Sequence, residues 1–350
     1  DDAMRPTKDE CELIEKLFGE QLDALMHFIK KNCTPVMNVV NINQVSTCLS
    51  LMLQMIRNSR GKTRHSCSPK FITSMFIFAM MWSFGGLLEP EDRRKVEEQF
   101  IFRRAGLADF LPKMEAGQSL FDFFCNVDFE QWEHWEMVLP EWEYLGDDVF
   151  EFSTMFVPTV DSIRIAYLLK LISQQEGHAL LLGRSGTAKS VTMEQFLMHD
   201  LDHEEITFKK INFSSATSLG IFQQTVEASL EKRATATFVP KGGKKLVIFI
   251  DDLNMPEVNE WQDQPTNELV RQVIEERGLY SIEKQHRGVW QNFEGLQYMA
   301  AMRQPGDGNN DIPNRLKRHF AIFNMSTPSL QALDQIFGQV VRGRFTSSHY

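Results

Sequence analysis

The chain has 350 residues, 43% of them hydrophobic, and its 47 acidic against 37 basic side chains give a formal net charge of −10. That length accommodates two domains with a core each, and the acidic balance argues against a nucleic-acid backbone or an anionic membrane as main partner. No basic segment leads into an apolar core after Asp1, so no signal peptide is read, and a chain that opens without methionine and stops at Tyr350 is expected to be a fragment.

The five cysteines (11, 33, 48, 67, 125) have no C-x-x-C spacing. They fit neither a zinc site nor a disulfide framework, and free, mostly buried thiols in a reducing compartment are expected. The first third reads as helical. Leu13, Leu17, Leu25, Phe28 and Ile29 recur at helical spacing, as do Val45, Leu49, Leu53 and Ile56. The basic stretch Arg57, Arg60, Lys62, Arg64, His65 is read as a solvated loop. Residues 71–84 are apolar but interrupted by Thr73, Ser74 and Ser83, too short to span a bilayer, and predict a buried helix stopped by Gly85 and Gly86. A charged helix over 91–104 follows Pro90.

Residues 112–156 change character. Pro and Gly punctuate a segment dense in Phe121, Phe123, Phe124, Trp132, Trp135, Trp142 and Tyr144. Alternation at Val149, Phe150, Glu151 and Phe152 suggests short strands or an extended connector. The aromatic cluster is read as packing that pins this segment to a domain, with a ligand platform as the alternative.

From Pro158 the pattern becomes α/β. A helix over 161–173 leads to a strand over 179–182, and a helix near 190–198 follows. Strands are predicted at 206–213, 246–250, 297–301 and 319–325, with helices between the first three, which implies a parallel sheet covered on both faces. Lys241–Lys245 reads as a turn entering a strand.

Between the first strand and its helix stands Gly183-Arg184-Ser185-Gly186-Thr187-Ala188-Lys189-Ser190. A glycine-containing loop in this context turns backbone N–H groups inward and aims a helix N-terminus at phosphates. Lys189 would place a charge on the β- and γ-phosphates, and Ser190 would offer a hydroxyl to Mg²⁺. Ala188 stands where glycine is usual, and a negative φ there would make the extra methyl tolerable. The strand over 246–250 ends in Asp251-Asp252. Asp251 would hold Mg²⁺, and Asp252 would orient the attacking water, from one methylene shorter than glutamate. Misplacement of about an ångström can cost about a hundredfold in rate. Asn314-Arg315-Leu316-Lys317-Arg318-His319 could neutralise charge on a transferring phosphoryl group or be a solvated helix end. His199/His203 and the Asp307–Asp311 stretch lack the ligands of a metal or calcium site.

Several strings resemble dynein heavy chains of the axonemal type: Val157-Pro-Thr-Val-Asp-Ser-Ile-Arg164, Phe249-Ile-Asp-Asp-Leu-Asn-Met-Pro256, Arg315-Leu-Lys-Arg-His-Phe320 and Phe76-Ile-Phe-Ala-Met-Met-Trp-Ser-Phe-Gly-Gly86. The likeness covers nearly the whole chain and looks like the third AAA+ module of a six-module motor ring. It implies an AAA+ P-loop NTPase large domain, a five-stranded parallel sheet with helices on both faces, preceded by an all-α small domain. The implied boundaries are 1–116 for the helical lid of the preceding module, 117–156 for the aromatic connector, 157–326 for the large domain and 327–350 for the start of its own lid. The resemblance further implies ATP or ADP with Mg²⁺, the adenine near Val157, Pro158 and Ile163, and Arg318 (Arg315 as second choice) as a finger acting in trans on the preceding module's nucleotide. A polar sensor is expected where 300–303 reads Ala-Ala-Met-Arg. The implied setting is the axoneme of a cilium or flagellum. Neighbouring modules would be partners, microtubules would be met only through the full-length heavy chain, and dynein intermediate and light chains would bind other regions. Two roles stay open for the site, a slow regulatory ATPase or a structural pocket that binds ADP without turnover. A metabolic P-loop kinase is disfavoured because no acceptor-substrate site is readable.

Overall fold

The computed structural model describes residues 6–63, 67–104, 106–142, 155–234, 236–261, 263–282, 287–306 and 308–346. Four helices come first: α1 (Lys8–Asn32), α2 (Asn41–Thr63), α3 (Pro69–Phe84) and α4 (Pro90–Gln99). A capping box starts α1, in which Thr7 accepts from the Glu10 N–H while the Glu10 carboxylate takes the Thr7 N–H at 2.7 Å. Glu10 also accepts from the Cys67 N–H at 3.1 Å and pairs with Arg60. Both side chains of that pair are buried, so removing one partner would cost about 3–5 kcal/mol. Residues 57–63 are therefore the last turns of α2 and not a solvated loop; Arg64 and His65 lie outside the described residues.

The packed stripe of α2 is also displaced from the expected one. Cys48, Leu51, Met52, Met55 and Ile56 are fully buried, whereas Leu49 is exposed. A helix this rich in Leu and Met offers two apolar stripes, and contact with α3 selects one. The α3 helix is apolar on every side and is buried on every side by α1, α2, the connector and the sheet. With its closing turn it spans 19 residues (Pro69–Leu87), long enough by composition to cross a bilayer, so its enclosure in the core and not its length marks it as a core helix. The charged helix α4 ends at Gln99, five residues short of the expected end, and a tighter turn over Ile101–Arg103 follows.

The connector holds an antiparallel hairpin, β1 (Phe123–Asn126) and β2 (Gln131–His134). Trp135 stacks on Phe124 with centroids 4.5 Å apart and meets Tyr167 edge-on, and its Nε1 donates to Phe121 O at 3.1 Å. Trp132 Nε1 donates to Phe110 O at 2.8 Å. The aromatics thus pack the hairpin down, as expected; Tyr144 and residues 149–152 lie outside the described residues.

The α/β part runs α5 (Val160–Ser173), β3 (His178–Gly183), α6 (Lys189–Gln195, extended by a π turn Phe196–Asp200), β4 (Ile206–Asn212), α7 (Leu219–Glu227), β5 (Leu230–Lys232), β6 (Thr237–Pro240), β7 (Lys245–Asp251), α8 (Pro265–Glu276), β8 (Gly278–Tyr280), β9 (Trp290–Phe293), β10 (Leu296–Met302), α9 (Asn314–Lys317), β11 (Phe320–Met325) and α10 (Leu330–Thr346). Five strands form a wholly parallel sheet in the order β11-β3-β10-β7-β4. Their side chains alternate between two cores. Leu181, Phe249, Ala301 and Phe323 face the core shared with α1–α6, while Leu180, Ile248, Ile250 and Ile322 face the core closed by α7 and α8. The helical region and the sheet therefore share one continuous core. Polar ties reinforce it: Arg93 donates to Gly85 O and Asn324 O at 3.1 and 3.0 Å while lying over the Phe121 ring, and Lys317 Nζ donates to Asn38 O at 2.9 Å.

A second sheet, ordered β5-β6-β9-β8, was not anticipated. Its strands are three or four residues long and carry no clear alternation, so periodicity could not reveal them.

Candidate nucleotide site

The C-terminal end of β3 opens directly into the loop 183–190 and then α6, which places the N-terminus of that helix at the rim of the sheet. Gly183 allows no side chain: a Cβ there would meet Thr187 Oγ1 at 2.5 Å and the backbone Met325 O at 2.8 Å. Gly186 takes φ +80°, and Ala188 takes φ +60° with ψ +20°. The negative φ that would have made the Ala188 methyl tolerable is not the one found. The turn into α6 takes Ala188 into the left-handed region, which alanine occupies at a cost of about 1–2 kcal/mol. Asp252 is also left-handed, with φ +55°. Two of the five non-glycine residues with positive φ among the described residues therefore sit in this one site, where strain characteristically collects.

Arg184, Ser185, Gly186 and Ala188 form the exposed crest of the loop, while Thr187 and Lys189 are buried beneath it. The Lys189 ammonium donates to Arg184 O at 2.8 Å, curled over the loop. Burial lowers its pKa, the charges of Asp252 and Asp251 oppose that, and Arg303 adds to the lowering. Arg303 follows β10 directly, so the strand end where a polar sensor was expected offers instead an exposed cation near the loop lysine.

Across the rim, Ser190 Oγ donates to Asp251 Oδ1 at 2.8 Å, and the Asp252 N–H donates to the same oxygen at 3.1 Å. The other oxygen, Oδ2, lies 3.3 Å from Lys210 Nζ, which also pairs with Glu194. Burial alone would lower the Lys210 pKa, but the Glu194 hydrogen bond and the charges of Asp251 and Glu194 outweigh it and hold the pKa high. Lys210 and Glu194 were not singled out from the sequence. Lys210 lies two residues before Asn212, which pairs with Asp251 across the sheet, so only the register reveals it. A hydroxyl beside a carboxylate is the hard-oxygen set that suits Mg²⁺ held mainly by phosphates and water. No group of three or more His, Cys, Asp or Glu suited to a metal occurs among the described residues, so the protein alone offers no full coordination cage.

A cleft of about 500 Å³ lies between α5, the connector and the end of α6, and no residue of 183–190 lines it. Pro158, Ile163, Thr192 and Phe196 line it, with Tyr167 and Trp135 farther along. Val157 is buried nearby in sequence but is not part of the lining. The Thr192 hydroxyl is buried without a protein hydrogen-bond partner.

Arg315 and Arg318 are at the opposite end of the sheet. In the parallel register Phe320 stands beside His178 and Met325 beside Gly183, so the α9 end is separated from the loop by the length of a strand, roughly 17 Å. Arg315 is exposed, and Arg318 pairs with Glu275, which also pairs with Arg271.

Comparison with known proteins matches the chain in two consecutive parts. The family model for the P-loop containing dynein motor region matches residues 144–328, and that for the dynein heavy chain AAA lid domain matches 14–137. Dynein axonemal heavy chain 5 of Rattus norvegicus is 39% identical over 342 residues, which is 97% of this chain and 10% of the relative. The dynein gamma chain of the flagellar outer arm of Chlamydomonas reinhardtii is 38% identical over 332 residues (95% and 7%), and dynein axonemal heavy chain 8 of Homo sapiens is 39% identical over 341 residues (97% and 7%). The chain spans a tenth or less of the length of these relatives. With a lid domain ahead of a P-loop domain and a five-stranded parallel sheet carrying that loop, the chain belongs to the dynein heavy chains, as a segment of their AAA+ motor region.

Proposed function

We propose that this segment is a regulatory nucleotide module of an axonemal dynein motor, binding ADP or ATP with Mg²⁺ and hydrolysing slowly. The supporting observation is the convergence of Lys189, Ser190 and Asp251 on one rim of the sheet, beside a water-orienting residue that is short and strained. In this reading the N–H groups of 183–190 bind the phosphates, and Lys189 leaves Arg184 O to meet them. Ser190 and Asp251 would hold Mg²⁺, which would neutralise phosphate charge. Pro158 and Ile163 would flank the base within the cleft. Asp252 would orient water from one methylene too far, which lowers turnover and spares affinity.

Arg318, with Arg315 as second choice, would serve the nucleotide of the preceding module, since both face away from the loop of their own domain. Partners would be the adjacent AAA+ modules. Microtubules and the intermediate and light chains would be met through other segments of the heavy chain, in the axoneme of a cilium or flagellum. A non-hydrolysing ADP pocket is the second reading, favoured by the left-handed Asp252 alone.

Two measurements test the pair. Nucleotide extracted from the purified protein is expected to be ADP in both readings, and intact ATP that survives purification would overturn the hydrolysing one. Single-turnover hydrolysis in the complete heavy chain is expected to rise about ten- to a hundredfold with Asp252→Glu. An unchanged rate would show that carboxylate length does not limit the site.

A further inference from the structure

Asp251 is held from two sides. Its Oδ1 faces Ser190 and the Asp252 N–H, and its Oδ2 faces Lys210 on the neighbouring strand β4. The same ammonium reaches Glu194, one helical turn beyond Ser190 on α6, and rests over the Phe249 ring at 5.7 Å. A lysine–glutamate pair at a surface contributes little to stability by itself. This one differs because its cation also touches the carboxylate assigned to Mg²⁺.

We propose that Lys210 is a positioning residue for Asp251 and an internal competitor of Mg²⁺ there, so that this site keeps a nucleoside diphosphate with little dependence on the metal. The inference rests on the nucleotide reading of the loop and Asp251. Its physical basis is charge. Without metal, the Asp251 carboxylate would repel the phosphates, and Lys210 cancels that repulsion. With metal, Lys210 and Mg²⁺ draw on the same negative charge and oppose each other. Removing the ammonium strengthens binding with Mg²⁺ and weakens it without. At partly solvated separations of several ångströms the two effects together amount to about tenfold. Lys210 also ties Oδ2 back, which keeps Oδ1 turned to Ser190.

The test measures the dissociation constant of a fluorescent ADP analogue on the purified protein, in saturating Mg²⁺ and in EDTA, and takes the ratio EDTA to Mg²⁺. Lys210→Met and Lys210→Gln are each expected to raise the ratio about tenfold over wild type, with the melting temperature nearly unchanged. Lys210→Arg, which keeps the charge, is expected to stay within about twofold. Glu194→Gln leaves the ammonium to Asp251 alone and is expected to lower the ratio. A ratio within about twofold of wild type in either neutral variant that melts normally overturns the proposal, as does an arginine variant that behaves like the neutral ones. Wild-type protein that binds the analogue in neither condition, or binding that survives Lys189→Ala, overturns the nucleotide reading and this inference with it.

Discussion

The two ends of the parallel sheet carry similar residues arranged for opposite purposes. At the C-terminal end, Ser190 and Lys210 meet the Asp251 carboxylate at 2.8 and 3.3 Å, beside a loop that Gly183 lets pack closely and whose Arg184 O accepts from Lys189. At the N-terminal end, Arg318 is exposed and clamped by Glu275, with His319 3.6 Å from the same carboxylate. Both ends hold cations against internal carboxylates. They differ in where the cation can go: Lys189 is buried and can only turn within its own loop, whereas Arg318 lies on the outside, where a neighbouring module would be. In the proposed reading, one sheet would receive at one end and project at the other.

Lys189→Ala should break the receiving end most severely, weakening nucleotide binding by at least about a hundredfold, because a charge-assisted contact to phosphate is lost in a partly buried setting. Arg318→Ala should leave that affinity within about twofold, and in the complete heavy chain should slow hydrolysis at the preceding module by about 10³. Equilibrium binding and single-turnover kinetics on both variants check the pair. A comparable loss of affinity in Arg318→Ala would erase the distinction between the ends.

Stability against pH sharpens the comparison at the base. Burial pushes His178, at the start of β3, down to about 4, with the charges of His319 and Arg277 adding to the shift. An imidazole kept neutral in the fold loses stability as pH falls from its ordinary value near 6.5 to about 4, on the order of 3 kcal/mol. Glu97, between α4 and the connector, is pushed by burial up to about 7, despite accepting from Ser119 Oγ and the Leu120 N–H. A carboxyl kept neutral in the fold favours stability below its ordinary value near 4.5, and that contribution is lost as pH rises to about 7, again on the order of 3 kcal/mol. The two slopes oppose each other between about pH 4.5 and 6.5. Glu97→Gln should therefore unmask a stability that climbs with pH, and His178→Gln one that declines. Chemical denaturation at pH 5 and 6.5 decides it.

The smallest effect expected is at Ala188. Glycine there should relieve left-handed strain and stabilise the loop by about 1 kcal/mol, less the entropy that glycine brings to the unfolded chain. A raised melting temperature with tighter ADP binding is the expected result; a lowered one would show that the alanine is unstrained.

Much of the site was legible because it is local. A strand, eight loop residues and a helix contiguous in sequence place Lys189 and Ser190, and a strand ending in two carboxylates places Asp251. Lys210 was not legible, since the second of two adjacent lysines in a strand looks solvated until the β4–β7 register sets it near Asp251. Arg60 was misread for the same reason: its partner Glu10 is fifty residues away and meets it only when α1 and α2 both pack on α3. The fully buried α3 needed no partner to be recognised, because an all-round apolar helix has only one place to go.

Sequence by itself determined the main helices, the five core strands and the identity of the phosphate loop, because helical and strand periodicity and loop chemistry act over a few residues. Tertiary structure alone decided the sign of φ at Ala188, the stripe that α2 buries, the short second sheet and the cations facing Asp251 and Glu275. Each of these depends on which residues, far apart along the chain, are forced to share a core or balance a charge.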